Sequence, residues 1–178
     1  MNAARSRYPA SLIAIHWLTA ALVGGAWLTS EGGREIVQHP PLLHFAFGIA
    51  ILALLLPRLL LRFFGEVPAA PTGQPDWLTR TAKAGHIFLY LMLVTVPLSG
   101  WIAANRLGVD VSFLGLHLPA LAASAGGKAG LVGELHENGG NLLLIFAGLH
   151  MAMALWHQFV RRDGTLAHMG LRRRFPSS

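Results

Sequence analysis

Nine histidines occur among the 178 residues, and four of them sit where helices would bring imidazoles together. His136 and His150 bracket an apolar stretch, HENGGNLLLIFAGLH. At about 100° per residue, the steps between them stop about 40° short of four helical turns, so both rings share one face. They lie roughly 21 Å apart along the axis, which puts one imidazole near each surface of a bilayer. His44 opens a second apolar segment at the depth of His136, and His16 lies about a turn inside the first segment at the depth of His150. Such an arrangement supplies two bis-histidine sites, because sites in helical bundles are built from side chains on facing helices. Haem b suits this donor set best. Its flat apolar macrocycle can lie between helices, with Gly48, Gly85, Gly139, Gly140, Ala147 and Gly148 making room. Two axial imidazoles saturate the iron, which favours electron transfer over oxygen binding. The chain has no cysteine, which excludes disulfides, cysteine-ligated clusters, thiol catalysis and covalent haem attachment through CxxCH. Structural zinc fits less well, since it favours four ligands at one site.

The remaining polar groups sort by depth. His157 follows His150 by about 20° less than two turns, so it is an alternative inner ligand, with His150 preferred as nearer the depth of His16. His86, at the start of the third apolar segment, and His157 are candidates for contact with haem propionates or a quinone headgroup. Trp156 and Arg80 join them as groups near the same haem edge. The competing reading is that these are ordinary interfacial residues, or hydrogen-bonded packing groups. At the other end the cations are Arg34, Arg106 and Lys128. A positive funnel there would raise the encounter rate of a small anion. Arg106 is the candidate catalytic residue, and Lys128 reads as a solvated loop charge. His39, His117 and His168 fall in loops or the tail.

The elements that must position these residues are membrane helices. Hydrophobic residues make up 53% of the chain and charged residues only 12%, about half the charged share of a soluble domain. Four apolar segments stand out, at about 12–28, 42–64 (with Pro57), 84–104 (with Pro97) and 141–160. Each is near the roughly 20 residues a helix needs to cross the hydrocarbon core. The reading is an all-α, integral-membrane four-helix bundle, one domain over 1–178, with two b haems between helices. The first segment reads as a retained helix rather than a cleaved signal, because His16, Trp17 and Trp27 lie in or near it. Eleven Lys and Arg flank one side (Arg5, Arg7, Arg58, Arg62, Arg80, Lys83, Arg161, Arg162, Arg172, Arg173, Arg174) against three on the other. That asymmetry puts both termini in the cytoplasm. The net charge of +6 is therefore membrane-flanking charge, without the basic stripe of a nucleic-acid binder. Of the connections, 29–41 is a short outer loop with Gly32 and Gly33, and 65–76 is Pro-rich. The longest is 105–140, where FLGLHLPALAASA could hold a short interfacial helix.

Several stretches together resemble the bacterial cytochrome b561 family. They are IAIHWL, LLHFAFGIAILALLLPRLLLR, AGHIFLYL with VPLSGW, LHENGGNLLLIFAGLH, and RRDGTLAHM. Their order and spacing cover nearly the whole chain. The resemblance implies a bacterial inner-membrane protein with two b haems, and its ligand pattern carries over onto His16, His44, His136 and His150. It also implies electron transfer between a periplasmic donor, with superoxide expected, and ubiquinone as acceptor. The ANR at 104–106 and the FLGLHLP segment match the family's outer side, whereas the Ala- and Gly-rich loop from Ala120 to Gly133 departs from it. The alternative function is a quinone-linked cytochrome b anchor serving a separate dehydrogenase or reductase. A haem-free transporter would explain the spans but not the paired histidines.

Overall fold

The computed structural model describes residues 8–30, 35–65, 75–163 and 165–170. Arg5, Arg7, Arg34, Arg172, Arg173, Arg174, Gly32, Gly33 and most of the Pro-rich connection lie outside the described residues. Four helices are long and apolar enough to cross a membrane. A bilayer offers no water to bond the backbone, so each crossing has to satisfy its N–H and C=O groups internally, as a helix does. Helix α1 runs Ala10–Leu28 and ends where the Thr29 hydroxyl and N–H both bond Gly25 O. A short α2, Glu35–Gln38, precedes α3, Leu42–Phe64, which carries Pro57. Helix α4, Asp76–Leu107, carries Pro97 and has Asp76 in its first turn and Arg106 in its last. Those charges complement the helix dipole. Helix α5 runs Leu131–Trp156 and passes into a π-helical turn, His157–Arg161, that ends at Arg162 in the left-handed region, before a short α6, Thr165–His168.

Helices α4 and α5 are longer than the apolar runs that mark them in the sequence. Helix α4 gains two turns carrying Trp77, Arg80 and Lys83, and α5 gains almost three turns at its start, which place His136 well inside the helix. Polar residues there hide the helix from a reading based on hydrophobicity. The segment expected to hold an interfacial helix forms a hairpin instead. Strands β1, Ser112–Phe113, and β2, Leu116–His117, pair antiparallel around Leu114 and Gly115, both at positive φ. Two consecutive positive-φ residues make a hairpin turn and break a helix.

The helices pack as two close pairs, α1 with α3 and α4 with α5, joined along α3 and α4. Neither α1 nor α3 packs its backbone closely on α5. The buried core is correspondingly small. Ile51, Leu55, Leu93 and Leu143 form its centre, with Leu22, Leu59, Leu89 and Tyr90 around them. Most other large apolar side chains, Leu56, Phe63, Leu91, Ile145 and Leu149 among them, face outward, as they can where the solvent is lipid.

At one end, Asn105 and Arg106 sew the 109–130 loop onto α4. Gly108, at φ +83, closes the helix with its N–H on Ala104 O and Asn105 O. Buried Asn105 donates from Nδ2 to Val109 O at 3.3 Å and accepts from Leu121 N at 2.9 Å. Arg106 accepts from Ala125 N through its carbonyl and donates from Nε to Ala129 O at 3.0 Å. At the other end, Tyr8 N bonds His168 O and Trp17 Nε1 bonds Met169 O at 3.2 Å, so the two chain-terminal segments meet. Asn105→Ala leaves the partners of a buried amide without bonds, a loss of about 1–3 kcal/mol. A lowered melting temperature in detergent and faster proteolysis between 109 and 130 are expected. Unchanged values would remove Asn105 as the tie.

Candidate functional site

The structure gathers five of the nine histidines at two levels of the bundle. At the hairpin end, His44 of α3 and His136 of α5 face each other with ring centres 5.7 Å apart and planes at 88°. Each is held from a different helix. His44 Nδ1 bonds Ala26 O of α1 at 2.8 Å, and His136 Nδ1 bonds Val96 O of α4 at 2.9 Å. A carbonyl only accepts, so both rings carry their proton on Nδ1 and present a lone pair at Nε2. This is how a neighbouring group fixes the tautomer and orientation of a metal-ligating imidazole. The sequence reading missed Gly100, which makes the seat for His136. A Cβ at position 100 would stand 2.6 Å from His136 Cε1 and 2.8 Å from its Nδ1. The VPLSGW match contains this glycine, but nothing local in the sequence connects it to a ring on another helix.

At the termini end, His16 of α1 and His150 of α5 lie 6.3 Å apart by ring centres. Both spacings bring two imidazoles from different helices close enough that one group between them could be held from both sides. No group of three or more His, Cys, Asp or Glu able to hold a metal occurs among the described residues. Side chains added at Gly85, Gly140 or Gly148 would meet nothing within 4 Å. Gly48 and Gly139 do a different job from the expected one, since their faces back onto Pro97 and Val96 of the neighbouring helix. Paired rings on helices that do not pack closely on one another would suit a flat group held from both sides.

His86 stands beside this second pair, 5.1 Å from His150, with its Nδ1 on Ala82 O at 2.7 Å. His157 does not face His16. Its Nδ1 lies 2.5 Å from Asp163 Oδ2, and Trp156 meets its edge at 5.2 Å. Trp156 is exposed and lies 5.5 Å under the Arg161 guanidinium. Arg80 is exposed on the first turns of α4. Arg106 is half-buried at the opposite end, and Lys128 is exposed in the loop.

Asp163, another residue the sequence reading missed, joins the π turn to α6. Its carboxylate also accepts from the Thr165 hydroxyl at 2.6 Å and from Thr165 N at 3.2 Å. Partial burial pushes this carboxyl up, but the bonds from Thr165 and His157 outweigh it and hold the group below the usual carboxylate range. A depressed carboxyl stabilises the fold above its unfolded value of about 4, and that contribution is lost as pH falls through the lower folded value. Hydrogen-exchange protection over 157–168, corrected for intrinsic exchange rates, is therefore expected to fall in Asp163→Asn at neutral pH, and in the unaltered protein only below about pH 4. Equal exchange in both proteins would show that the joint does not depend on this carboxylate.

The chain matches the family model for prokaryotic cytochrome b561 over residues 7–171. It is 31% identical to cytochrome b561 homolog 2 of Escherichia coli over 170 residues, covering 92% of this chain and 90% of the relative. It is 30% identical to a protein of Yersinia pestis named probable superoxide oxidase CybB over 168 residues, covering 92% and 95%. With E. coli cytochrome b561 homolog 1 it shares 25% identity over 177 residues, covering 95% and 99%. A match running through all four helices and both histidine pairs makes this chain a member of the prokaryotic cytochrome b561 family, membrane proteins that bind b-type haem and transfer electrons.

Proposed function

We propose that this protein carries electrons from superoxide, outside the cytoplasmic membrane, to ubiquinone. The balance is two superoxide and one quinone, with two protons, giving two dioxygen and one quinol. The observation that carries the haem part is the pairing of His44 with His136 and of His16 with His150 at two depths. Each pair would hold one b haem. Bound there, a b haem would supply a one-electron iron couple, held by one imidazole from each helix of the pair. The chain's own contribution is positional. Ala26 O and Val96 O keep the His44 and His136 lone pairs aimed across the gap, and Gly100 leaves the volume the His136 ring occupies.

The hairpin end is read as the outer face. There the Arg106 guanidinium offers positive charge at the start of α5, with its Nε tied to Ala129 O. That charge favours the approach of a small anion. The termini end, with Arg58, Arg62, Arg80, Lys83, Arg161 and Arg162, is read as cytoplasmic. His86, His157, Trp156 and Arg80 stand at that end as the groups nearest a quinone arriving from the lipid. Support for superoxide as the donor is the similarity to the Yersinia pestis relative.

The deciding experiment is stopped-flow spectroscopy of the oxidised protein, purified alone. Superoxide should reduce a b-type α band at a rate that falls with ionic strength, and added ubiquinone should reoxidise it with quinol formed. Arg106→Gln should slow the first phase several-fold at unchanged haem content. Absence of superoxide-driven reduction, with reduction restored by a partner dehydrogenase, would favour the anchor-subunit reading instead. Haem content tests the ligands separately. His136→Ala and Gly100→Ala should each lower it from about two haems per chain to about one, by pyridine haemochrome assay. A value unchanged in His136→Ala would overturn the outer pairing.

A further inference from the structure

We infer that Arg58 is an anion-binding residue whose partner is a carboxylate of the haem held between His16 and His150, an inference resting on the haem-pair reading above. Arg58 lies within apolar α3, six residues from its end. His16 and His150 are each six residues from the same end of their own helices, so the three share one depth. The guanidinium is half-buried, and what surrounds it does not neutralise it. Its NH2 is 2.7 Å from His16 Nδ1, its Cζ lies 5.2 Å over the Tyr90 ring, and its Nε is buried with no hydrogen-bond partner. Arg62, one turn on, bonds the Tyr8 hydroxyl at 3.0 Å and stacks on that ring at 5.4 Å. Among the described residues the only ion pairs are those at Asp163, and no described carboxylate meets either arginine. Two like charges one turn apart repel, and a charge inside a membrane helix normally faces a partner or a functional pathway.

The His16 contact sharpens the point. A guanidinium has donors only, so His16 Nδ1 accepts here. A neutral imidazole that accepts at Nδ1 keeps its proton on Nε2 and has no lone pair there for a metal. His44 and His136 are arranged the opposite way, with Nδ1 donating to carbonyls. For His16 to serve as a ligand through Nε2, Arg58 has to leave Nδ1 and find another acceptor. Haem b brings two carboxylates with its iron, and a bidentate carboxylate is the acceptor a guanidinium fork matches best. Arg58 thus caps the ligand ring in one state and balances the charge of the bound group in the other.

The test uses the haem-loaded protein in detergent, unaltered and as Arg58→Gln and Arg58→Lys, with spectroelectrochemical titration of both haems and no quinone present. Arg58→Gln should lower the midpoint potential of one haem and leave the other unchanged, because loss of a nearby positive charge favours the ferric state. Arg58→Lys should recover most of the shift. In redox-induced infrared difference spectra, haem labelled with 13C at its propionate carboxyls should show displaced carboxylate bands in Arg58→Gln. Unmoved potentials and bands would overturn the inference. So would unmoved potentials with a raised apparent KM for quinone, since the partner would then be a quinone oxygen. If Arg58→Gln loses a haem outright, the infrared comparison is made in Arg58→Lys, where undisplaced bands overturn the inference. His16→Ala separates the underlying reading: unchanged haem content there would sink the inner pair itself, whatever Arg58 does.

Discussion

An imidazole placed in lipid must have both ring nitrogens engaged, because no water is available to solvate either one. That requirement organises this bundle. At the hairpin end it is met from the backbone: Ala26 O of α1 and Val96 O of α4 each take the Nδ1–H of a histidine on a neighbouring helix. Each bond spends one nitrogen and aims the other at the facing ring. The two bonds also cross between helices, so the same contacts that set the rings tie α1 to α3 and α4 to α5. These are the helix pairs that pack closely, while the histidine pairs reach across helices that do not. The bundle is close-packed behind the paired histidines and looser between them.

The two ends are built on different physics. The hairpin end is fastened by hydrogen bonds from Asn105 and Arg106 to loop backbone, with no carboxylate in them, and Val109 and Val111 are buried against Ala104. These contacts fix the 109–130 loop to the end of α4. The termini end is charged. Arg58 and Arg62 stack on Tyr90 and Tyr8, Arg161 stacks on Trp156, and Asp163 gathers His157 and Thr165. Guanidinium groups over aromatic rings keep their charge while shedding part of their water.

What could be read from the chain, and what could not, divides along a physical line. Spans follow from hydrophobic run length and the depths of the histidines from the helical repeat, both properties of a segment by itself. His136, His150, His44 and His16 were legible in this way. The full lengths of α4 and α5 were not, since residues such as Arg80 and Glu134 continue a helix beyond the apolar run that announces it. Nor was the hairpin, which depends on Leu114 accepting a positive φ beside Gly115. Gly100, Arg58 and Asp163 were invisible as site residues because their roles are contacts with other helices or with a turn several residues away.

By itself, the sequence determined that four helices cross a membrane and that imidazoles stand in pairs at two depths, because apolar length and a repeat of 3.6 residues per turn require no knowledge of neighbours. Only the tertiary structure decided which nitrogen of His16, His44 and His136 is engaged and by what. It also decided that His150 rather than His157 faces His16, and that a glycine on α4 leaves space for a ring on α5. Those choices depend on helix rotation and approach. Both are set by side chains meeting across the bundle, and no single segment carries that information.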